Sequence, residues 1–304
     1  MKPVALYKST KKQLGPYKLK SPASLGGEAD SWLAKPLKSA GRTSRQVLIK
    51  PVAQLPSSTL PSQSMPVADN FQRLRTALAC LNHPNILRLQ ETRFDDDLFY
   101  LVYPYEPKLL SLDQHLAQRP MTLPETLNLM RQVINAVLYA HRQGVLHGSL
   151  TPRNILLRGD GKIWVTNFGL AKFDYDVTGT NLSRLAGAMP EYMAPEQFTG
   201  YGDFRSDLYA LGILLFQLLT GTLPFTGNST LEIGRRHLNE AVPLPNPRVP
   251  VAFETFLGKA LHKNPRYRFA RAEDLAGAFE QAVQQLSQRQ NRFEPQKALP
   301  HVAA

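Results

Sequence analysis

Three stretches of the 304-residue chain hold polar side chains that could take part in phosphate or metal chemistry. Ser149 and Asn154 share one stretch, Asn167 opens a second, and Lys50 ends an apolar run that begins at Val47. A lysine can hold an anion, whereas an asparagine oxygen offers a cation a dipole but no charge. A serine hydroxyl is no base at neutral pH unless a neighbour activates it. These residue types therefore favour binding over proton transfer.

The elements that must position these residues divide the chain into a strand-rich half and a helical half. Strands are predicted at 17–20, 31–34, 46–50, 86–90 and 98–103. Helices are predicted at 70–81, 123–143, 206–220, 231–238, 251–262 and 272–285. This order predicts an α+β fold with a small antiparallel β-rich lobe, a larger mainly helical lobe, and a cleft between them.

Composition suggests where the two lobes begin and end. Residues 1–16 are basic and lack periodicity, which predicts a flexible tail. Residues 51–69 contain prolines at 51, 56, 61 and 66, and proline interrupts both helices and strand ladders. We therefore expect an exposed Pro-rich loop there, inside a first lobe spanning 17–105. The second lobe is expected at 106–285, followed by a polar tail at 286–304.

Charge and cysteine content limit the classes of function. The net charge of +12 favours acidic partners, nucleic acid or anionic lipid, although a solvated surface with two basic tails is the preferred explanation. No zinc-ligand spacing and no nucleic-acid-binding motif supports specific nucleic-acid recognition. The single cysteine, Cys80, excludes an internal disulfide and points to a reducing compartment. No signal peptide is visible, and the longest apolar run, 208–219, is shorter than the roughly 20 residues of a membrane span. We expect a cytoplasmic protein.

Seven short motifs occur in an informative order. They are Val47-Leu-Ile-Lys50, His83-Pro-Asn-Ile86, His147-Gly-Ser-Leu-Thr-Pro-Arg-Asn154, Asn167-Phe-Gly169, Tyr192-Met-Ala-Pro-Glu196, Asp207-Leu-Tyr-Ala-Leu-Gly212 and Lys263-Asn-Pro-Arg-Tyr-Arg268. Together they resemble the protein kinase superfamily in its bacterial serine/threonine, or Hanks-type, form. The resemblance covers roughly residues 17–285 and implies a bilobal kinase fold.

The resemblance assigns structural roles to one set of residues. It implies that Glu196 pairs with Arg268 and that Asp207 accepts backbone amides of the loop around His147. It also implies an apolar stack that links the lobes, made of Leu78, Leu89, Phe168 and His147. Ordinary core packing predicts the same placement for each of these residues.

The resemblance also implies that the catalytic positions are degenerate. Neutral residues stand at the positions of the catalytic-loop aspartate, the following lysine, the DFG aspartate and the helix glutamate, namely Ser149, Thr151, Asn167 and Leu74. Asn154 keeps the family's metal-ligand residue, so the remnant metal site, Asn154 and Asn167, holds no carboxylate. Asp174 and Asp176 follow closely and are candidates for a relocated acid.

The nucleotide cleft is expected to be vestigial. Its positions are Lys50, Gly26, Leu48, Tyr103 and Leu156. No acidic residue occurs from 70 to 90, so Lys50 lacks its helix glutamate, and it equally fits a plain surface lysine at a strand end. Leu48 replaces a small alanine and crowds the adenine pocket. We expect no cofactor, ATP binding that is weak at most, and no dependence on Mg²⁺.

The favoured function is that of a pseudokinase, a catalytically inactive scaffold or allosteric regulator that binds a protein, such as an active kinase or a signalling complex. One alternative is a weak or unconventional serine/threonine kinase that uses Lys50, Asn154 and a relocated acid. A second alternative is a basic adaptor that binds nucleic acid or membrane through the Lys-rich start of the chain.

Overall fold

The first lobe is a six-stranded antiparallel sheet with one long helix. The computed structural model describes residues 12–23, 31–37, 45–54, 61–178, 189–200 and 202–293. The strands are β1 (Gln13–Leu14), β2 (Tyr17–Ala23), β3 (Ser31–Pro36), β4 (Val47–Gln54), β5 (Glu91–Asp95) and β6 (Leu98–Pro104), and the helix is α1 (Pro61–Ala79). The strand order is β1-β2-β3-β4-β6-β5.

The two faces of this sheet carry different residues because side chains alternate along each strand. On one face Leu19 lies opposite Ala34, which lies opposite Val47, and all three are buried in a small cluster of their own. On the other face Leu33 lies opposite Leu48, which lies opposite Tyr103. Leu48 and Tyr103 belong to the main core, which continues into the second lobe.

Residues 51–54 and 61–69 of the Pro-rich segment do not form the exposed loop that the prolines predict, and residues 55–60 lie outside the described residues. Strand β4 continues through Pro51 to Gln54 with a shift of register next to the proline, and α1 begins at Pro61. Pro66 is the sixth residue of the helix and lies beyond the four amides that have no intrahelical partner, so it costs α1 one backbone hydrogen bond. Val67 is buried one turn before Phe71, so the apolar stripe of α1 extends further back than predicted.

Both predicted tails contribute ordered structure. Leu14 of β1 is only 1% exposed, so the sheet begins inside the segment expected to be a flexible tail to residue 16. At the other end, the last helix continues to Phe293, past the predicted boundary at 286. Leu286 packs against the core, which continues the helical spacing of Leu275 and Phe279.

The predicted strand at 86–90 is also wrong. Ile86 makes only an isolated bridge to Val165, and the next strand is β5, which the sequence pattern did not predict. The Leu87 amide bonds the carbonyl of Val165, so this stretch connects the two lobes. Tertiary contacts therefore hold it extended without a continuous ladder.

The second lobe is mainly helical, which agrees with the α+β bilobal prediction. Its helices are α2 (Leu112–Gln118), α3 (Leu123–Arg142), α4 (Leu170–Thr178), α5 (Pro195–Thr199), α6 (Phe204–Thr220), α7 (Thr230–Asn239), α8 (Val251–Ala260) and α9 (Ala272–Phe293). Three short strands, β7 (Leu110–Ser111), β8 (Ile155–Leu157) and β9 (Ile163–Val165), form a second sheet.

Helix α6 is the centre of the second lobe. It is apolar nearly all round and almost completely buried, as expected of a core helix. The Asp203 side chain caps its start, and Gly221 ends it with a φ of 76°, a conformation that suits glycine. No helix in the described part of the chain is long and apolar enough to cross a membrane.

Candidate functional site

A buried carboxylate on α6 positions the loop that contains Ser149. Asp207 is 1% exposed, and its two oxygens accept the amides of His147 and Gly148, each at 2.8 Å. His141 Nε2 lies 2.8 Å from the same carboxylate. Burial alone would raise the pKa of Asp207, but the bond from His141 and the other partners outweigh it and hold the pKa below its ordinary value.

His141 is a contributor that the sequence analysis missed. It lies in the last turn of α3, and its only signal in the sequence was a histidine near a helix end. Gly148 has a φ of 78°, so the loop needs a residue that accepts the left-handed conformation. His147 itself is fully buried, and burial lowers the pKa of its imidazole, which keeps the ring neutral at pH 7.

Ser149 is held through its backbone. Its amide donates to His147 Nδ1 at 3.3 Å, and its carbonyl accepts the side-chain amide of Asn154 at 2.8 Å. No described carboxylate or imidazole is hydrogen-bonded to the Ser149 hydroxyl. Thr151 is 6% exposed and precedes a 3₁₀ turn, Pro152–Asn154.

The two remnant metal-ligand positions bond each other directly. Asn167 donates its side-chain amide to Asn154 Oδ1 over 2.7 Å. Asn167 has a φ of 66°, which asparagine tolerates better than most residues. Its own Oδ1 is buried and accepts no hydrogen bond from the described residues. The described part of the chain also has no group of three His, Cys, Asp or Glu side chains that could hold a metal ion.

Helix α1 presents an apolar side chain to this site. Leu74 is 5% exposed, and a Cβ added at Gly169 would lie 3.2 Å from its Cδ1. The one acidic residue of α1, Asp69, is exposed. Lys50 lies in β4 opposite Leu101 and is 8% exposed, so it is a buried lysine and not a surface one.

Three predicted cleft residues are buried by the atoms of the chain itself. Leu48, Tyr103 and Leu156 are 3%, 2% and 4% exposed and belong to one core cluster. Burial raises the pKa of Tyr103, so its hydroxyl stays protonated. The remaining cleft position, Gly26, lies with Ser24 and Ala29 outside the described residues.

The structure also brings the predicted stack together. Leu78, Leu89 and Phe168 line one small cavity between the lobes, with Tyr103 on its wall. The fourth member, His147, lies against Phe168 with ring centroids 4.7 Å apart. Leu78 and Leu89 of the first lobe and Phe168 and His147 of the second therefore form a connection between the lobes.

The predicted ion pair between Glu196 and Arg268 is present and bidentate. Two guanidinium nitrogens of Arg268 lie 2.8 Å from the two carboxylate oxygens, and Arg268 is 3% exposed. Burial opposes the charge of Glu196, but Arg268 and the Ser206 hydroxyl outweigh it and lower the pKa of the carboxyl. This pair joins α5 to the turn that precedes α9.

Helix α4 follows directly after the Asn167-Phe168-Gly169 motif and was not predicted. Phe173 is 3% exposed and meets Phe71 of α1 edge-on, at a centroid distance of 6.4 Å. Asp176, one of the candidate relocated acids, is exposed and pairs with Lys172 at 2.9 Å. The other candidate, Asp174, is partly buried in the same helix.

Comparison with known proteins agrees with this geometry. The family model of the protein kinase domain matches residues 42–285. The chain belongs to the protein kinase family. Serine/threonine-protein kinase PrkC of Bacillus subtilis is 35% identical to it over 240 residues, or 76% of this chain and 37% of that relative. The domain is therefore a serine/threonine protein kinase-like domain.

Two further relatives are similar over comparable regions. Probable serine/threonine-protein kinase PknB of Lactococcus lactis is 34% identical over 210 residues, covering 67% of this chain and 33% of the relative. Serine/threonine-protein kinase PknE of Mycobacterium tuberculosis is 29% identical over 279 residues, covering 89% of this chain and 47% of the relative. The kinase-like chain thus spans a third to a half of the length of these relatives.

Proposed function

We propose that this kinase-like domain is catalytically inactive and works as a scaffold or allosteric regulator by binding another protein. The observation that carries the proposal is the direct hydrogen bond between Asn154 and Asn167, at the positions where family members hold a metal ion. The frame of the fold, including Glu196, Arg268 and Asp207, is intact. A stable frame around a neutral site suits recognition better than phosphoryl transfer.

The missing base is the first argument for inactivity. In the family an aspartate at the position of Ser149 accepts the proton of the substrate hydroxyl. The hydroxyl of Ser149 would itself need a base, and the nearest imidazole, that of His147, is engaged through Nδ1 with the Ser149 amide. No group in this loop is therefore set up to remove a proton.

The poor fit to magnesium is the second argument. Mg²⁺ prefers charged, hard oxygen ligands in octahedral geometry. Here Asn154 Oδ1 is occupied by the amide of Asn167, and Asn167 Oδ1 is a single neutral oxygen. These two side chains do not form a magnesium site, so we propose that the domain does not bind nucleotide in a Mg²⁺-dependent way.

A phosphoryl-transfer assay tests the proposal. Purified protein incubated with γ-labelled ATP, Mg²⁺ and a mixture of protein substrates should transfer no more label than a heat-denatured sample. Lys50→Ala is the matched control, because real activity at this cleft would need the lysine and a contaminant's activity would not. Dose-dependent transfer that Lys50→Ala abolishes would contradict the proposal.

That contradicting result would instead support a weak or unconventional serine/threonine kinase. Two observations favour this second candidate: the named relatives are serine/threonine kinases, and Lys50 is retained and buried in β4. Asp174 is the candidate acid to test, because it is the partly buried one of the two in α4, whereas Asp176 is exposed. Asp174→Asn should then abolish the activity together with Lys50→Ala.

A further inference from the structure

Four lysines stand exposed on the first three strands of the small lobe. They are Lys12, just before β1, Lys18 and Lys20 of β2, and Lys35 of β3. Across the described ranges, no carboxylate lies within ion-pair distance of any of them. The fold thus leaves this part of the sheet with uncompensated positive charge.

The strand register places two of these lysines opposite each other, so their positive charges repel. Lys18 and Lys35 are direct partners across the antiparallel β2–β3 pair. Side chains at such positions start about 5 Å apart, and like charges there destabilise the sheet. An unfavourable pair of this kind, with no counter-charge from the residues that the structure describes, indicates a surface that is completed by an anionic group.

The register also shows which way the pair faces. Lys35 shares a face with Leu33, two residues earlier, and Leu33 lies opposite Leu48. Leu48 is buried in the core cluster that includes Leu156 of the second lobe. The lysine pair therefore lies on the face of the sheet that is turned toward the cleft. It lies at the end of the sheet where the first lobe joins the second, because the Tyr105 amide bonds the Gln46 carbonyl there.

We propose that Lys18 and Lys35 bind an acidic segment of a partner protein at the mouth of the cleft. Charge complementarity selects an anionic partner, and the position favours a flexible peptide, because a chain can enter a groove between lobes whereas a bilayer contacts only outward faces. This inference names the chemistry of the partner and rests on the proposed binding function.

A binding measurement with matched charge variants tests the inference. The probe is a fluorescein-labelled peptide of alternating Glu and Gly, titrated with the full chain at low salt and followed by anisotropy. Lys18→Glu/Lys35→Glu should weaken binding about tenfold, as expected for the loss of two or more exposed ion pairs. Arg73→Glu/Arg75→Glu, on the exposed side of α1, changes the net charge equally and should weaken binding less than about threefold.

A single substitution separates binding from folding. Lys35→Glu turns the repulsive pair with Lys18 into an attractive one, so the melting temperature should stay constant or rise while the affinity for the peptide falls. A lower melting temperature would overturn the claim that the lysine pair is unfavourable in the free protein.

Other outcomes would also overturn the inference. They are an absence of measurable peptide binding, an equal loss in both double variants, or tighter binding to a DNA oligonucleotide or to phosphatidylglycerol vesicles through the same two lysines. None of these results would affect the proposed inactivity, because the phosphoryl-transfer assay depends on Ser149, Asn154 and Asn167.

Discussion

At the scale of single residues, the site replaces charge with internal hydrogen bonds. Asn167 donates to Asn154, and Asn154 donates to the carbonyl of Ser149, so three positions that serve catalysis in the family satisfy one another here. Such a chain of bonds has no need of an ion to balance it, since all of its members are neutral. Among the buried side-chain atoms of these three described residues, Asn167 Oδ1 is the one that has no hydrogen-bond partner.

Asn167→Asp should create a dependence on magnesium that we do not expect of the natural chain. The substitution removes the donor to Asn154 Oδ1 and places a carboxylate beside that oxygen, which should cost about 1–3 kcal/mol of stability in the absence of metal. Mg²⁺ between the two oxygens should restore it, and about 1 kcal/mol corresponds to about 2–4 °C in melting temperature. Thermal unfolding with and without millimolar Mg²⁺ measures the effect.

The control for this prediction is Asn167→Ala, which loses the same hydrogen bond without adding a charge. It should be destabilised but should not respond to Mg²⁺. An equal Mg²⁺ response in the natural chain and in Asn167→Asp would mean that the amide pair already accommodates the ion.

At the scale of elements, two helices determine the shape of the site from opposite sides. Helix α6 holds the loop of His147 and Gly148 through Asp207, while α4 packs against α1 through Phe173 and Phe71. The first interaction is a set of charge-assisted hydrogen bonds, and the second is apolar. The packing of Phe173 is therefore one of the contacts that anchor the helix after the Asn167 motif.

Phe173→Ala should loosen α4. Removing a buried aromatic ring typically costs about 3–5 kcal/mol, and this ring packs against Phe71 of α1. Hydrogen exchange of the amides in 170–178 should accelerate more than that of α6. Lys172→Ala, an exposed position in the same helix, should change the stability by less than about 1 kcal/mol. Unchanged exchange in α4 of Phe173→Ala would show that the helix does not depend on this aromatic pair.

At the scale of the whole molecule, the lobes share one core cluster that includes residues predicted to line the nucleotide cleft. Leu48 of the first lobe and Leu156 of the second are both nearly inaccessible to solvent. We therefore predict that a planar base bound at this position would have to displace these side chains, so that nucleotide binding would compete with the packing of the lobes.

Leu48→Ala should improve ATP binding while it lowers stability. The smaller side chain opens the pocket, and the cavity it leaves costs about 2–5 kcal/mol. Thermal-shift titration should show a larger ATP-dependent rise in melting temperature for this variant than for the natural chain. The matched control is Ile49→Ala, a fully buried position on the opposite face of β4, which should lose stability without gaining affinity for ATP. A large ATP-dependent rise in the melting temperature of the unmodified chain would contradict the prediction that Leu48 crowds the adenine pocket.

The sequence alone was sufficient for the order of the lobes, most of their helices and the neutral residue types at the catalytic positions. These features depend on local periodicity or on motif spacing, as for the helix at 123–142 and the pair Glu196 and Arg268. The ends of helices and strands were less predictable where a local preference, such as that of proline for loops, opposed a tertiary interaction. Pro51 and Pro66 argued for a loop, but pairing with β6 and burial of Val67 outweighed them.

Only the tertiary structure decided how residues far apart in the chain meet. The bond between Asn154 and Asn167, the packing of Leu74 beside Gly169 and the opposition of Lys18 to Lys35 all depend on strand register or helix placement. A shift of one residue in register would turn Lys35 to the other face of the sheet, and nothing in the local sequence specifies that choice. Composition supplied the charges, and long-range packing determined which of them stand opposite each other.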